Sequence, residues 1–471
     1  MDEFDVVVVG AGPTGENLAE RAHAGGLSVA VVESELVGGE CSYWACMPSK
    51  ALLRPAAALA EAGRLAGARE AVTGPLDAEA VLRRRDEFTS HWKDDGQVEW
   101  LNGSGLVLVR GHGRLDGPKR VAVQTPDGGR RVLTARHAVA VCTGTRAALP
   151  GLPGLDEVRP WTSREATSSE RVPPRLAVVG GGVVACEMAT AWRALGSEVV
   201  QLVRGSRLLP RVEPFAGEFV AEGLRAAGVD LRFGTSVTGV RRDGPVTLTL
   251  DGGGTVTADE VLFATGRTPA TGDLGLDTVG LAPGRPIQVD STGLAVGVPG
   301  EWLYAAGDVN GRALLTHQGK YQGRIFGTVI ADRAAGRPLD TAAWGRSVAT
   351  ADERAVPQVV FTDPEVAAVG PTLEEATREG RRVRAVDYEL GNVSGASLYA
   401  DGYQGRARAV VDLDRETLLG VTFVGAGVAE LLHSATVAVT AEVPLSRLWH
   451  AVPSYPTVSE VWLRLLETYR G

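Results

Sequence analysis

The sequence predicts an α/β chain with two doubly wound, Rossmann-like nucleotide-binding domains and a C-terminal α+β domain. Three observations support this fold class. A strand–glycine turn–helix–strand pattern opens the chain, and the same pattern recurs at residues 175 to 203. From about residue 346 hairpin-like alternation replaces it. A length of 471 residues agrees with about three domains.

The first pattern reads FDVVVVGAGPTGENLAERAHAGGLSVAVVES. The apolar run Phe4–Val9 predicts a buried parallel strand, a helix is expected to about Ala24, and a second apolar run ends at Glu33. The glycines between strand and helix allow a tight turn, a close approach to a pyrophosphate and helix–strand packing; they are Gly10, Gly12 and Gly15. Glu33 can accept hydrogen bonds from a ribose diol. A dinucleotide site is therefore predicted, against the alternative of a glycine-rich structural turn.

The second pattern reads RLAVVGGGVVACEMATAWRALGSEVVQLV and has Gly180, Gly182 and the small Ala185 in its turn. Its second strand ends without an acidic residue, and arginines follow: Arg204, Arg207 and Arg211. Because a ribose 2′-phosphate requires cations where a 2′-hydroxyl requires a carboxylate, this favours NADPH over NADH. A solvated arginine loop is the alternative. An enzyme with two nucleotides usually passes a hydride between them, so the first unit suits FAD and the second the nicotinamide cofactor.

Three short motifs come next along the chain. HAVAVCTGTRAALPGLPG, at 137 to 154, predicts a strand that ends in Thr-Gly and runs into a linker, and DEVLFATGRTPAT, at 259 to 271, repeats that form. Both are interpreted as crossings between a first domain and a second, inserted one. EWLYAAGDVNG places Gly307 and Asp308 after an apolar strand. After residue 346, PQVVFTDPEVAAVG and GRARAVVDLDRETLLGVTFVG predict hairpins, with DRET as a turn.

Composition excludes several classes of protein. The net charge of −9 gives no indication of a nucleic-acid partner. The N-terminus has no basic region or cleavage site, and no apolar run reaches about 18 residues, so neither a secretory signal nor a membrane helix is expected. Four cysteines are too few for a secreted disulfide scaffold. We therefore expect a cytoplasmic protein without a membrane partner.

The stretch GGECSYWACMPSK, at residues 38 to 50, carries Cys41 and Cys46. A zinc site needs four ligands, and no second cysteine pair or histidine cluster accompanies these two, so no metal is predicted. A structural disulfide over five residues would stabilise little. The remaining interpretation is a redox pair, because the helix predicted after Cys46 can lower a thiol pKa at its N-terminus.

These motifs together resemble the class I pyridine nucleotide–disulfide oxidoreductases, the family of dihydrolipoamide dehydrogenase, glutathione reductase and mercuric reductase. The resemblance covers essentially the whole chain and rests on ordered motifs: GxGxxG at 10 to 15, GGECSYWACMPSK, GGGVVACE, ATGRTP, AAGD and PTVSE. It implies that the first unit binds FAD and the second NAD(P)H.

The resemblance also implies roles for individual residues. Asp308 would hold the ribityl chain of FAD, Cys46 would be the charge-transfer thiol against the flavin ring, and Cys41 would be the interchange thiol that attacks substrate. Lys50 would pair with Glu187 beside the flavin. Further cofactor-binding positions that it implies are Gly39, Thr143, Gly144, Gly266, Arg267 and Gly307.

Domain boundaries follow from the same resemblance. Residues 1–150 and 270–345 are expected to form the FAD-binding domain, 151–269 the NAD(P)H-binding domain and 346–471 the dimerisation domain. A homodimer is implied, in which the segment from Tyr455 to Glu460 completes the active site of the neighbouring subunit.

The C-terminal element departs from the family pattern. A histidine that acts as acid and base on the interchange thiol is usual where this chain has Tyr455, although Pro456 and the orienting Glu460 are retained. Histidine exchanges a proton near neutral pH, whereas tyrosine, with a reference pKa of about 10, is a poor base. Either Tyr455 is an acid or orienting hydroxyl for an unusual substrate, or the disulfide half-reaction is vestigial.

The expected function is an FAD-dependent oxidoreductase that passes a hydride from NADPH through FAD to a Cys41–Cys46 disulfide and on to a disulfide-type or other small acceptor. The alternative is a quinone or diaphorase-type reductase in which the cysteines are secondary. A non-catalytic or redox-sensing dimer module that holds FAD is a third hypothesis. Mercuric ion is a weaker substrate candidate, because no cysteine follows Cys186. Tyr43 and Trp44 between the cysteines are bulkier than the usual family residues and are expected to narrow the disulfide face.

Overall fold

The computed structural model describes residues 2–471. Its strands, in chain order, are β1 Asp2–Val9, β2 Val29–Glu33, β3 Val107–Arg110, β4 His112–Leu115, β5 Arg120–Gln124, β6 Arg130–Val141, β7 Thr145–Ala147, β8 Arg175–Val179, β9 Glu198–Val203, β10 Asp230–Phe233, β11 Val237–Arg242, β12 Val246–Leu250, β13 Thr255–Ala258, β14 Glu260–Phe263, β15 Arg267–Pro269, β16 Leu303–Ala305, β17 Pro357–Val360, β18 Glu365–Val369, β19 Val383–Glu389, β20 Arg406–Asp412 and β21 Thr417–Gly425.

Its α-helices are α1 Pro13–Ala24, α2 Gly39–Tyr43, α3 Cys46–Gly63, α4 Ala78–Phe88, α5 Asp95–Gly103, α6 Leu155–Val158, α7 Ser163–Ser168, α8 Val183–Ala194, α9 Pro214–Ala226, α10 Thr316–Ala334, α11 Ala351–Arg354, α12 Leu373–Arg378, α13 Ser394–Tyr399, α14 Leu432–Thr440, α15 Leu445–Leu448 and α16 Val461–Arg470. Two short 3₁₀ turns matter for the site, Gly307–Asn310 and Val458–Glu460.

The first sheet has the strand order β3-β2-β1-β6-β5-β4, and β16 also pairs with β6. β1 is parallel to β2 and to β6, and Val6 to Val9 are buried, so the predicted buried parallel strand is confirmed. Apolar side chains cover both faces of a central parallel strand, which is why the run is continuously hydrophobic. Helix α1 ends at Ala24 and β2 at Glu33, as the sequence predicts.

The second parallel sheet has the order β10-β9-β8-β14. β8, α8 and β9 form the second strand–helix–strand unit predicted at 175 to 203. An antiparallel sheet, β11-β12-β13, precedes β14 in the chain. Together with the first sheet, these elements confirm the predicted α/β class.

The C-terminal sheet is antiparallel, with the order β17-β18-β21-β20-β19. β20 and β21 form the predicted hairpin; the first three residues of DRET lie in its turn, and the last, Thr417, begins β21. Helices α14 and α16 pack against this sheet through residues such as Ala435 and Leu465, which are buried. The α+β character expected from about residue 346 is therefore present from β17 onward.

The chain forms two compact units. The first contains residues 1–47, 86–148 and 267–353, and the second contains 48–85, 149–266 and 354–471. The predicted division at 150, 270 and 346 into three domains stays a prediction. None of the helices within residues 2–471 combines the length and the apolar character that spanning a membrane requires.

Candidate active site

The first glycine turn joins β1 to α1 and is closed by backbone contacts. A Cβ atom on Gly15 would lie 1.9 Å from the carbonyl oxygen of Gly10, so only glycine allows this approach of helix and strand. Gly12 is the N-cap of α1, whose first N–H groups point out of the helix. Gly39 has φ +59°, and its Cβ would lie 2.8 Å from the Cα atom of Gly12. The turn is a cradle without side chains at the positive end of a helix, which suits a pyrophosphate.

Glu33 lies at the carboxyl end of β2 and is 9% exposed. Its carboxylate accepts hydrogen bonds from the backbone N–H of Ala11 at 2.7 Å and of Glu35 at 2.7 Å. Burial raises the pKa of this carboxyl, and the backbone donors oppose that rise. The side chain is thus fixed beside the glycine turn, where a ribose of a bound dinucleotide would be expected.

Asp308 belongs to a hydrogen-bonded group that also includes the predicted position Arg267. Its Oδ2 accepts from the Thr145 hydroxyl at 2.9 Å. The Arg267 guanidinium donates to Thr145 Oγ1 at 2.6 Å and to the Thr145 carbonyl at 2.8 Å, and it also donates to Glu40 Oε2 at 2.5 Å. Burial raises the pKa of Asp308, while the Thr145 hydroxyl and the Arg267 charge oppose the rise. The turn that carries Asp308 is anchored by Gln322, whose Oε1 accepts from the Gly307 N–H at 2.7 Å.

Thr143 and Gly144 join β6 to β7 and lie beside the residue that follows β15. The Thr143 hydroxyl donates to the Ala270 carbonyl at 3.0 Å, and the Ala270 N–H donates to the Gly144 carbonyl at 3.0 Å. β7 and β15 pair antiparallel, which brings the TG and GR motifs together. These contacts place Thr143, Gly144 and Arg267 in one region of the first unit.

The cysteine pair spans the gap between α2 and α3. Cys41 is in α2, and Cys46 is the first residue of α3, as expected for a thiol at a helix N-terminus. Both are thiols in this structure. The Cys46 sulfur lies 3.2 Å from the Thr316 hydroxyl at the start of α10. A hydrogen bond with Cys46, together with burial, raises the pKa of the Cys41 thiol, so Cys41 keeps its proton when Cys46 is a thiolate.

The other two cysteines are buried in apolar surroundings. Cys142 is 6% exposed and Cys186 is 0% exposed. Burial raises the pKa of each thiol to about 12. Both therefore behave as small apolar side chains.

Lys50 and Glu187 form an ion pair within the second unit. The Lys50 ammonium donates to Glu187 Oε2 at 2.7 Å, and the side chains are 35% and 4% exposed. The other oxygen, Oε1, accepts from the backbone N–H of Phe361 at 3.1 Å. The Phe361 ring also lies below the ammonium, with 4.9 Å between Nζ and the ring centroid. Glu187 is on α8 and Phe361 follows β17, so two elements fix the ammonium.

The second glycine turn joins β8 to α8. A Cβ on Gly180 would lie 2.4 Å from the Ala264 carbonyl oxygen, whereas one on Gly182 would meet no atom within 4 Å. The space at Gly182 lies at the N-cap of α8 and suits a phosphate. Arg204 follows β9 and is exposed, and Gly266, which precedes β15 in the chain, is exposed as well.

The C-terminal element does not bring its two predicted residues into a hydrogen bond. Tyr455 is 75% exposed. Glu460, in the last 3₁₀ turn, is 6% exposed, and its Oε2 has no hydrogen-bond partner among residues 2–471. A buried carboxylate oxygen without a donor is costly, so this oxygen is an unfavourable feature of the C-terminal element.

Sequence reasoning missed Glu40, Thr145, Thr316 and Phe361. Thr316 contacts a cysteine 270 positions away, and Phe361 contacts Glu187 across 174 positions. No local motif marks either one. Glu40 stands next to Cys41, and its charge inside a glycine-rich turn is the one signal that could have identified it. Within the described residues, no group of three or more histidine, cysteine, aspartate or glutamate side chains is arranged to hold a metal ion.

Residues 4–323 match the family model described as pyridine nucleotide-disulphide oxidoreductase, and residues 356–465 match the dimerisation domain of that family. The chain is 34% identical to dihydrolipoyl dehydrogenase 3 of Pseudomonas aeruginosa, over 98% of this chain and 96% of that protein. It is 33% identical to a mercuric reductase of Acidithiobacillus ferrooxidans, over 97% of this chain and 81% of that protein.

Two solved structures have a similar fold. The Cu(II) complex of the HOCl-induced flavoprotein disulfide reductase RclA from Escherichia coli superposes with a TM-score of 0.84, at 22% identity and 99% coverage of each chain. LpdA from Mycobacterium tuberculosis gives a TM-score of 0.82, at 23% identity and with the same coverage of this chain.

Proposed function

Because this chain belongs to the pyridine nucleotide-disulphide oxidoreductases, we propose that it is an FAD-dependent enzyme in which electrons from NADPH reduce a Cys41–Cys46 disulfide, which then reduces a small acceptor. The observation that carries this proposal is the cysteine pair itself. Cys46 begins a helix and hydrogen-bonds Thr316, and Cys41 is held protonated beside it. A thiolate and a neighbouring thiol are the two species that disulfide exchange requires.

The reaction balances over two electrons. Bound FAD would take a hydride from the nicotinamide and supply two electrons to the disulfide. Those electrons and two protons open the Cys41–Cys46 bond to a dithiol. The Cys41 thiol gives up its proton as its sulfur attacks one sulfur of the acceptor disulfide, and the other acceptor sulfur takes up a proton and leaves as a thiol. The Cys46 sulfur then closes on Cys41 and releases the second acceptor thiol.

The first unit offers a surface that fits FAD. Its helix N-cap lacks side chains, Glu33 is fixed at the end of β2, and Asp308 is oriented by Thr145. The positions proposed to bind FAD are Gly10, Gly12, Gly15, Glu33, Gly39, Thr143, Gly144, Gly307 and Asp308. In this proposal 1–150 with 270–345 holds FAD and 151–269 holds the nicotinamide nucleotide.

The second nucleotide is proposed to be NADPH. The open N-cap at Gly182 would take the pyrophosphate, and the exposed Arg204 would face a 2′-phosphate, in the absence of a carboxylate at the end of β9. Gly180 and Gly266 complete the set of proposed contacts. Lys50, neutralised by Glu187, is proposed to tune the flavin ring, as it does in the family that the sequence resembles.

The acid–base group that would act on Cys41 differs from that of the family. Family members complete the neighbouring subunit's site with a C-terminal histidine, and Tyr455 stands there in this chain. We propose that 346–471 forms the homodimer contact and that Tyr455 donates a hydrogen bond to the acceptor substrate. We also propose that the enzyme works in the cytoplasm. If tyrosine is a poor substitute, Tyr455→His raises the rate with lipoamide or glutathione disulfide; activity that stays at background would show that the base is not limiting.

The exposed tyrosine favours a second candidate, a quinone or dye reductase in which the cysteines are secondary. Cys41→Ser and Cys46→Ser separate the two, and Cys186→Ala, at a buried cysteine, is the matched control. Quinone reduction that survives unchanged in both serine variants would eliminate the disulfide route for that acceptor.

The direct test is anaerobic reduction of the purified protein with NADPH. We expect a long-wavelength absorbance from the Cys46 thiolate against the flavin ring, and we expect Cys46→Ser to lose it. A flavin that NADPH bleaches with no such band in the wild type would contradict the assigned role of Cys46.

A further inference from the structure

Four side chains in the first unit form one hydrogen-bonded chain. Glu40 Oε2 accepts from Arg267 at 2.5 Å, Arg267 donates to Thr145 Oγ1 at 2.6 Å, and the Thr145 hydroxyl donates to Asp308 Oδ2 at 2.9 Å. We call these residues the Glu40–Asp308 chain. Its ends lie 268 positions apart, in the cysteine-bearing helix α2 and in the Gly307–Asn310 turn.

The hydrogen bonds of the Glu40–Asp308 chain have a fixed donor-to-acceptor direction at Thr145. Thr145 Oγ1 accepts from the Arg267 Nε–H, so its own proton must point elsewhere, and the nearest acceptor is Asp308. Thr145 is 8% exposed, and the side chains of Arg267 and Glu40 are 23% and 22% exposed. Partial burial makes each of these charge-assisted bonds stronger than a surface contact.

Arg267 lies between two carboxylates and donates to Glu40 directly. Its third contact, with the Thr145 carbonyl at 2.8 Å, holds the guanidinium against β7. Without Glu40 the guanidinium would lose its charged partner at one end. The hydroxyl of Thr145 would then lose the donor that directs its proton toward Asp308.

We propose that Glu40 is a positioning residue for FAD: through Arg267 and Thr145 it fixes the orientation of the Asp308 carboxylate. This inference rests on the proposed FAD-dependent function. It also makes α2, which carries Cys41, part of the same hydrogen-bonded structure as the flavin-binding turn. Glu40 therefore affects a contact that its own side chain does not make.

The test is a double-mutant cycle on FAD affinity. Flavin is removed from the full-length protein and its dissociation constant is measured by titration with FAD, using flavin fluorescence. Glu40→Gln and Thr145→Val are each expected to raise that constant about tenfold. The double variant is expected to have the same dissociation constant as each single variant, because either substitution alone already interrupts the hydrogen bonds of the Glu40–Asp308 chain. Thr145→Ser keeps the hydroxyl and is expected to bind like the wild type.

Glu3→Gln is the matched control. It breaks an exposed ion pair with Arg136 in the same unit, where Glu3 Oε1 and Arg136 Nη1 are 3.2 Å apart, and it should leave the dissociation constant unchanged. Effects of Glu40→Gln and Thr145→Val that simply add would overturn the inference, as would a Glu40→Gln variant that binds FAD as the control does. Failure of the wild type to bind FAD at all would instead overturn the proposed function.

Discussion

Replacement of Glu16 by glutamine should remove a pH-dependent penalty on stability. Glu16 lies in the first turn of α1, is 8% exposed, and has an Oε1 without a hydrogen-bond partner among residues 2–471. Burial raises the pKa of this carboxyl to about 7 from a reference value of 4.5; attraction by Lys320 opposes the rise and repulsion by Glu33 adds to it.

The direction in which stability changes with pH follows from the number of protons bound by the folded and unfolded states. Between pH 4.5 and about 7 the folded protein holds a proton on Glu16 that the unfolded chain has lost, so the free energy of unfolding falls as pH rises through this window. Below the window both states are protonated, and above it the penalty is constant. A shift from 4.5 to about 7, at about 1.4 kcal/mol per unit, amounts to about 3 kcal/mol.

Urea unfolding of the flavin-free protein at about pH 5 and about pH 8 measures this effect. Between the lower and the higher pH, the free energy of unfolding of Glu16→Gln should rise by about 2 to 3 kcal/mol relative to that of the wild type. Glu20→Gln is the control, because Glu20 lies one turn further along α1 with a side chain that is 41% exposed. If Glu16→Gln and the wild type show parallel pH dependences, the reasoning from burial is wrong.

Three further outcomes are expected. Phe361→Leu removes the ring below Lys50 and should slow flavin reduction by NADPH about two- to fivefold in stopped-flow measurements, while Phe361→Tyr should not; equal rates for both would contradict the contribution of the ring. Thr316→Val removes the hydroxyl beside Cys46 and should slow alkylation of that sulfur severalfold at neutral pH, whereas Thr316→Ser should keep the wild-type rate. Arg204→Glu should reverse the ratio of kcat/KM for NADPH over NADH, and a wild-type preference for NADH would refute the interpretation of the arginine loop.

The sequence alone predicted secondary structure correctly where the signals for it are local. The first strand, turn and helix are specified by an apolar run and by glycines whose missing Cβ atoms permit the turn, and all of these lie within about thirty residues. β11 to β13 were not predicted. Only one of the six residues of the strand Val237–Arg242 is buried, so apolar alternation is weak there and pairing with its neighbour determines the structure.

The site was predictable only in part, because its contacts are non-local. The pairing of Lys50 with Glu187 came from the family resemblance, and the structure places the two atoms 2.7 Å apart across 137 positions. Neither the Thr316 hydroxyl beside Cys46 nor the Glu40–Asp308 chain has a signature in the order of residues. Such contacts depend on the packing of whole elements, which no short motif encodes.

The burial of Cys142 and Cys186 has a practical consequence for thiol counting. Both sulfurs lie inside apolar clusters with pKa values raised to about 12, so a bulky alkylating reagent will not reach them in the native protein. Intact-mass measurement after alkylation should then show adducts only from the pair at 41 and 46: at least one adduct when the pair is reduced, and none when it is oxidised. Because the two buried cysteines stay unmodified, the mass of the alkylated protein reports the redox state of the pair without any substitution.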